Sequence, residues 1–409
     1  MRKGWEIKKL GDVCDRGSSN VSQNQLEKEF GQYPIFGASG LIKNISFYHQ
    51  AKPYLSIVKD GSGVGRVTKM NAYTSVIGTL QYLIPKEDID LNYLYYNLIS
   101  IDFKKYITGA AIPHIYFKDY KNEPFLWMPL VEQQYIVSIL DEVFEAIDQA
   151  KENLQRNLQN AKNLFQSELD NVFTSKGNSW LEKKLGECCT TITKGSSPKW
   201  QGVNYVDKPG ILFVTSENVG EFELLLEHKK YVEEKFNLKD KKSILKKGDV
   251  LTNIVGASIG RTAIYNIDDV ANINQAVCIL RCNEKILNNE YLTYILNSPF
   301  LKKIFHDNEV DNARANLSLG FFANLSIPFP SLKEQKKIVH ELDTLSMQTK
   351  KLETTYQKKI DNLEELKKSI LQKAFSGELT SPERALSPND GHSPSKKKKV
   401  SSIKSPERA

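Results

Sequence analysis

Two stretches of sequence decide the fold: E-Q-Q-Y-I-V-S-I-L-D at Glu132–Asp141 and E-Q-K-K-I-V-H-E-L-D at Glu334–Asp343. They lie 202 residues apart, and the match continues at that spacing without a gap as far as Phe173 and Phe375. Self-similarity at a fixed spacing indicates that one structural unit occurs more than once. The chain of 409 residues is therefore expected to consist of two related halves.

Each of these stretches opens a long amphipathic segment. In residues 130–174 apolar side chains recur every three or four positions, without glycine or proline, and residues 332–375 repeat the pattern. This periodicity predicts two α-helices, each roughly 65 Å long at ~1.5 Å per residue. Because a compact domain brings its two ends close together, the helices are expected to pack antiparallel.

A second repeat marks the start of each half. W-E-I-K-K-L-G-D at Trp5–Asp12 matches W-L-E-K-K-L-G-E at Trp180–Glu187, 175 residues later. The spacing grows from 175 to 202 along the chain, so the second half contains about 27 additional residues. A constant segment thus alternates with a variable one, twice.

The variable segments contain short alternating runs and glycine turns, as in the stretches from Pro53 and Gly248, which are typical of strands. The predicted fold class is mixed α/β. Two globular, strand-rich domains are separated by two long antiparallel coiled-coil helices in a pseudo-twofold internal repeat. The predicted boundaries are 1–128 and 177–329 for the domains, 129–176 and 330–379 for the helices, and 380–409 for a basic, disordered tail.

Composition restricts the class of protein. The net charge is +7, of which residues 380–409 carry +4, so any DNA contact must come from local basic patches. Apolar runs are too short for a membrane helix, and no signal peptide is recognisable, so a cytoplasmic protein is expected. The five cysteines lack metal-ligand spacing and are expected to be reduced, buried thiols: Cys14, Cys188, Cys189, Cys278 and Cys282.

Basic and amide side chains near the glycine turns are the candidate DNA contacts, because Arg reads guanine, Asn and Gln read adenine, and Lys holds phosphate. For each of them a solvated surface position is the competing interpretation, except for His114, where the competing interpretation is a packed histidine in a loop. The candidates are Lys59, Arg66, Lys69, Gln81, His114, Lys194, Lys199, Arg261, Asn272, Asn274, Gln275, Arg314 and Asn316.

The run Gly61–Gly65 is not a phosphate-binding loop, because no Gly-Lys-Ser/Thr follows it. It is either a plain strand–turn–strand or a turn that lets the backbone approach DNA. No methyltransferase, translocase or nuclease motif is present, and the six histidines are scattered. No catalytic residue and no metal ligand is predicted.

The doubled Trp with Lys-Lys-Leu-Gly-Asp/Glu, and the doubled Glu-Gln before each long helix, resemble the specificity subunit of type I restriction-modification enzymes. The resemblance covers residues 1–379. It implies that the two domains are target-recognition domains, each reading half of a split DNA sequence, and that the helices set the gap between the halves. Candidate partner contacts at the start of the helices are Glu132, Gln133, Glu334 and Gln335.

The resemblance also implies partners: double-stranded DNA, two methyltransferase subunits and, in restricting systems, motor-nuclease subunits, with no membrane. The partner subunits would carry S-adenosylmethionine, ATP and Mg²⁺, and this chain would hold no cofactor and catalyse nothing. Two alternatives stay open. One is a stand-alone DNA-binding or coiled-coil scaffold protein, and the other is an enzyme whose site the sequence does not reveal.

Overall fold

The computed structural model describes residues 4–175, 180–207, 210–308 and 316–378. The predicted tail and the candidate Arg314 lie outside these residues. The chain divides into two compact units. The first takes in the chain up to Glu152 and again from Ile360, and the second is Asn153–Lys359.

The two long helices form as the apolar periodicity predicts. They are α4, Leu130–Thr174, and α10, Leu332–Phe375. Within the first unit they run antiparallel, because Asp148 pairs with Lys367 (3.0 Å) and Lys151 pairs with Glu364. Within the second unit, late residues of α4 share a hydrophobic core with early residues of α10: Phe165, Leu169, Phe173, Ile338 and Leu342.

The first unit is strand-rich before α4. Its strands are β1 Glu6–Lys9, β2 Cys14–Ser18, β3 Tyr33–Gly37, β4 Gly40–Ile45, β5 Tyr54–Val58, β6 Val67–Met70, β7 Ser75–Val76, β8 Leu80–Pro85 and β9 Pro124–Trp127. Its short helices are α1 Leu10–Val13, α2 Leu91–Ser100 and α3 Phe117–Tyr120. The sheets have the orders β1-β9, β2-β8-β5-β6 and β4-β3-β7.

The second unit repeats this plan. Its strands are β10 Leu181–Lys184, β11 Cys189–Lys194, β12 Tyr205–Val206, β13 Ile211–Val214, β14 Tyr231–Val232, β15 Val250–Asn253, β16 Thr262–Ile264, β17 Ala271–Ile273, β18 Val277–Cys282 and β19 Ser326–Phe329. Its short helices are α5 Leu185–Cys188, α6 Lys235–Lys239, α7 Asn289–Asn297, α8 Pro299–Asp307 and α9 Leu319–Asn324. The sheet orders are β10-β19, β11-β18-β15-β16 and β12-β14-β13-β17.

The predicted fold class is confirmed: mixed α/β, two strand-rich globular parts, two long helices and an internal repeat. The domain boundaries at 128 and 329 stay predictions, because the compact units group each half-helix with a globular part. The additional residues of the second half fall largely between β13 and β15. Ala38 and Ser39 alone join β3 to β4, whereas residues 215–230 join β13 to β14.

Burial of the cysteines also follows the prediction. All five are free thiols; four are buried and Cys189 is half-buried. Desolvation raises the pKa of Cys14 to about 12 and that of Cys188 to about 11. No cluster of three or more metal-ligating side chains occurs among the residues that the structure describes. None of the described helices is both long and apolar enough to span a membrane.

Candidate nucleic-acid interface

One end of the four-stranded sheet in the first unit collects the predicted contacts. In this sheet Ser18 pairs with Gln81, Val58 with Leu80, and Ile57 with Val67. The end of β2, the end of β5, the start of β6 and the start of β8 therefore lie side by side. We call this the first turn end.

The glycines at the first turn end have two different roles. Gly61 and Gly65 both have a φ of +88°, a conformation that favours glycine. A Cβ on Gly65 would lie 2.7 Å from the Cβ of Phe103, so close packing excludes a side chain there. A Cβ on Gly61 would meet nothing within 4 Å, so the backbone at this turn is open to a ligand.

Lys59, Arg66 and His114 surround this open turn. Lys59 is half-exposed, with its ammonium 3.7 Å from the carboxylate of Asp60. Arg66 is exposed and donates a hydrogen bond to the carbonyl of Ala38. His114 is joined to Asp60 by a β-bridge. Two basic side chains and an imidazole thus lie together at this end of the sheet.

Two other candidates of the first unit are placed differently. Gln81 lies at the turn end but is buried, and its Oε1 accepts a hydrogen bond from the hydroxyl of Tyr120 (3.0 Å). Lys69 lies further along β6, opposite Leu55, with its ammonium 4.7 Å from the ring centroid of Tyr95. Neither side chain joins the exposed basic group at the turn end.

The second unit has an equivalent end of its sheet. Lys194 pairs with Cys278, Asn253 with Val277, and Thr252 with Thr262. The end of β11, the β15–β16 turn and the turn before β18 therefore lie together, and we call this the second turn end. Its candidates are Lys194, Arg261, Asn274, Gln275 and, bridged to Val255, Asn316.

The glycine roles recur at the second turn end. A Cβ on Gly260 would lie 2.7 Å from Cδ2 of Phe305, while Gly256 has a φ of +77° and open space around it. Gly61, Gly65 and Arg66 thus have structural counterparts in Gly256, Gly260 and Arg261. This repetition places an exposed arginine beside an open glycine turn in both units.

Asn272 lies away from this surface, in the centre of β17. It is fully buried, and its Nδ2 donates to the hydroxyl of Ser243 (2.9 Å). The side chain of Asn274 accepts a hydrogen bond from the backbone N–H of Ala276 (3.0 Å), which orders the turn before β18. Lys199 is exposed on the 3-10 turn Pro198–Gln201.

The candidates at the start of the long helices have internal partners. Glu132 accepts a hydrogen bond from Nε1 of Trp5 (2.5 Å), and Glu334 accepts one from Nε1 of Trp180 (3.4 Å). The doubled Trp and Glu-Gln motifs therefore meet in space. A partner contact by Glu132 or Glu334 stays a prediction.

Gln133 is fully buried and ties the start of α4 to the globular part. Its Nε2 donates to the carbonyls of Asp88 (2.9 Å) and Met128 (2.8 Å), and its Oε1 accepts from the backbone N–H of Asp90 (2.9 Å). Asp90 in turn caps α2 through the N–H groups of Asn92 and Tyr93. We call this set of contacts between Gln133 and the globular part the joint of the first unit. It follows β8, and the six residues of that strand separate the joint from the first turn end by about 20 Å.

Gln335 makes the same three bonds in the second unit. It donates to the carbonyls of Ile286 (3.0 Å) and Pro330 (3.0 Å) and accepts from the N–H of Asn288 (2.8 Å). A tyrosine–carboxylate pair reinforces each joint: Tyr96 with Asp141, and Tyr294 with Asp343. Burial, together with that carboxylate, raises the pKa of each tyrosine.

Sequence reasoning missed several exposed residues beside the second turn end. Trp200 is 77% exposed, and Lys239, Lys241 and Lys242 are exposed on α6 and on the 3-10 turn that follows it. The lysine pairs from Lys241 to Lys247 were the available signal. These lysines belong to the additional residues of the second half. Because those residues have no counterpart in the first half, the internal repeat could not point to them.

The family described as type I restriction modification DNA specificity domain matches the chain over residues 2–159 and 178–362. The type I restriction enzyme EcoBI specificity subunit of Escherichia coli is 29% identical over 307 residues, which is 69% of this chain and 64% of that protein. The MjaVIII specificity subunit of Methanocaldococcus jannaschii is 23% identical, covering 92% of this chain and 93% of that one.

Two solved structures share the fold. One comes from work on complex assembly and conformational transition of the type I R-M system; it has a TM-score of 0.70 and 19% identity, covering 92% of this chain and 99% of that one. The other is the crystal structure of the HsdS subunit from Thermoanaerobacter tengcongensis, with a TM-score of 0.56 and 19% identity, covering 92% and 98%.

Proposed function

Because the chain belongs to the type I restriction-modification DNA specificity family, we propose that it reads a split DNA target, with one half-site at each turn end. The observation that carries this proposal is the repetition of one surface on two sheets. Each turn end offers an open glycine turn with an exposed arginine beside it, Gly61 with Arg66 and Gly256 with Arg261.

The chemistry of the turn ends suits DNA. An arginine can donate two hydrogen bonds to guanine, and lysines such as Lys59 and Lys194 neutralise phosphates. An open glycine turn lets the backbone approach the duplex closely. The buried Gln81 and Asn272 are less suited to base contact than the exposed Arg66, Arg261 and Asn316. Because the two turn ends differ in sequence, the two half-sites should differ as well.

The partners follow from the same proposal. Two methyltransferase subunits would dock on the chain, and motor-nuclease subunits would join in a restricting system. S-adenosylmethionine, ATP and Mg²⁺ would be bound by those subunits, while this chain contributes recognition and no catalytic group. The complex would act in the cytoplasm, together with the DNA that it reads.

The test is co-expression with the neighbouring methyltransferase gene, followed by sequencing of methylated bases in the host DNA. We expect a split methylated motif with a fixed gap. Replacing residues 177–329 with the second domain of a relative should change one half of the motif and leave the other half and the gap intact. If a complex forms but no split motif appears, the proposal fails. Binding of DNA without any methyltransferase would favour a stand-alone binder.

A further inference from the structure

The second unit carries a surface that has no counterpart among the described residues of the first unit. We name it the lysine–tryptophan surface, and it consists of Lys194, Lys199, Trp200, Lys239, Lys241 and Lys242. The last three lie in the additional residues of the second half. Trp200 is 77% exposed, and tryptophan is enriched at interfaces because it combines an apolar ring with a polar N–H group.

Two chain segments build this surface and are tied together. The hydroxyl of Ser196 donates to the carboxylate of Asp240 (2.6 Å) and accepts from Nε2 of Gln201 (3.1 Å). The ammonium of Lys239 donates to the carbonyl of Gln201 (2.6 Å). The turn that carries Trp200 is therefore held against the segment that carries Lys241 and Lys242.

The surface adjoins the second turn end. Lys194 is the last residue of β11, and a Cβ on the next residue, Gly195, would lie 1.8 Å from the carbonyl oxygen of Ile273 at the end of β17. Ile244 forms an antiparallel bridge with Asn272. Because the two segments run in opposite directions, residues 241–243 lie alongside the end of β17 that leads to Asn274.

Among the residues that the structure describes, few carboxylates lie near the positive charges of this surface, one of them being Glu233 beside Lys239. Other lysines of this region form ion pairs: Lys230 with Glu217, Lys235 with Glu233, and Lys247 with Asp268. Within the described ranges, no ion pair involves any of the five lysines of the surface: Lys194, Lys199, Lys239, Lys241 and Lys242. The carboxylate nearest in sequence, that of Asp240, is buried and bonded to Ser196.

We propose that the lysine–tryptophan surface binds the DNA duplex beside the half-site that the second turn end reads, and that this binding does not depend on base sequence. The proposal rests on the proposed function, since it takes the second turn end to face DNA. Lysines suit phosphates as point charges, and the exposed indole packs on deoxyribose and base edges. This additional DNA contact would belong to one recognition domain only, so the DNA footprint of the protein would be asymmetric.

The test uses the full chain assembled with its methyltransferase subunits, and a target duplex and a scrambled duplex as probes. The variant Lys199→Gln/Lys241→Gln/Lys242→Gln should bind both duplexes more weakly by the same factor. The slope of log K against log salt should become shallower by about 0.9 for each phosphate that the variant no longer neutralises. The control, Lys285→Gln/Lys333→Gln/Lys336→Gln, removes equal charge at the joint end of the same unit and should leave slope and affinity unchanged.

Trp200→Ala should raise Kd for both duplexes about tenfold. DNA should quench the fluorescence of the wild-type protein more than that of Trp200→Phe, which keeps Trp5, Trp127 and Trp180. Equal thermal melting of all variants would show that these exposed substitutions leave the fold intact.

The outcomes separate the two proposals. If the wild type prefers its target while the triple variant and Trp200→Ala bind both duplexes with wild-type affinity, the lysine–tryptophan surface does not bind DNA, and the proposed function stands. Weaker binding to the target alone would overturn sequence independence. If Trp200→Ala releases methyltransferase subunits while DNA affinity is unchanged, the surface docks protein, and the inference is wrong. If the wild type shows no preference for any split target, both proposals fall.

Discussion

Replacing Gln133 with methionine should destabilise the first unit by about 3 kcal/mol, at ~1 kcal/mol for each hydrogen bond removed. Methionine matches glutamine in length but makes none of its three bonds. The carbonyls of Asp88 and Met128 and the N–H of Asp90 would then lack their partner at a fully buried position. The matched control is Gln134→Met, because Gln134 is the exposed neighbour on the same helix.

Two measurements check this expectation. Urea unfolding followed by fluorescence reports all four tryptophans, of which Trp5 and Trp127 lie in the first unit. Hydrogen exchange of the Asp90 amide reports the bond to Gln133 directly, and this amide should exchange much faster in the variant. Gln335→Met should produce the same destabilisation in the second unit. If the free energy of unfolding of Gln133→Met lies within about 0.5 kcal/mol of that of Gln134→Met, the three hydrogen bonds of Gln133 do not stabilise the first unit as argued.

Three further outcomes are expected. Gly65→Ala should lower the free energy of unfolding by at least about 2 kcal/mol, because the residue has a positive φ and its Cβ would clash with Phe103. Gly61→Ala has the same backbone strain but open space around it, so it should lower that free energy by about 1 kcal/mol, and urea unfolding of both variants tests the difference. Asp249→Asn should lower the free energy of unfolding by about 3 kcal/mol, because the buried Asp249 carboxylate accepts two 2.7 Å hydrogen bonds from Arg281. Since salt screens buried pairs only weakly, this loss should be similar at low and high salt, and a loss that disappears at high salt would contradict the prediction. Burial raises the pKa of Cys14 from 9.0 to about 12, so folding disfavours its thiolate, and the stabilisation that this thiol contributes should be lost as pH rises from 9 towards 12; urea midpoints should fall more steeply with pH for wild type than for Cys14→Ala.

The long helices were the most predictable elements. The apolar periodicity placed them at 130–174 and 332–375, and the structure begins and ends them at Leu130–Thr174 and Leu332–Phe375. Periodicity of three to four residues is a local property, so it needs no knowledge of the tertiary fold. Glycine turns were predictable for the same reason, since the need for a positive φ at Gly61 or Gly256 arises within the turn itself.

The polar candidates were less predictable, because residue type alone does not reveal exposure. Arg66 and Arg261 are exposed at the turn ends, but Gln81 and Asn272 are buried and form hydrogen bonds inside their domains. Lys69 is near Arg66 in sequence, yet strand pairing places it opposite Leu55, further along the sheet.

The sequence by itself determined the doubled architecture and the family, because repeats and apolar periodicity are written along the chain. Only the tertiary structure decided which side chains share a surface. Lys194 and Arg261 lie 67 residues apart, yet the pairing of β11, β18, β15 and β16 brings their turns to one end of a sheet. The segment that carries Trp200 is likewise joined to a distant segment by a hydrogen bond between Ser196 and Asp240, 44 residues apart. Such long-range contacts cannot be deduced from local pattern, because they form only when strands distant in sequence pair.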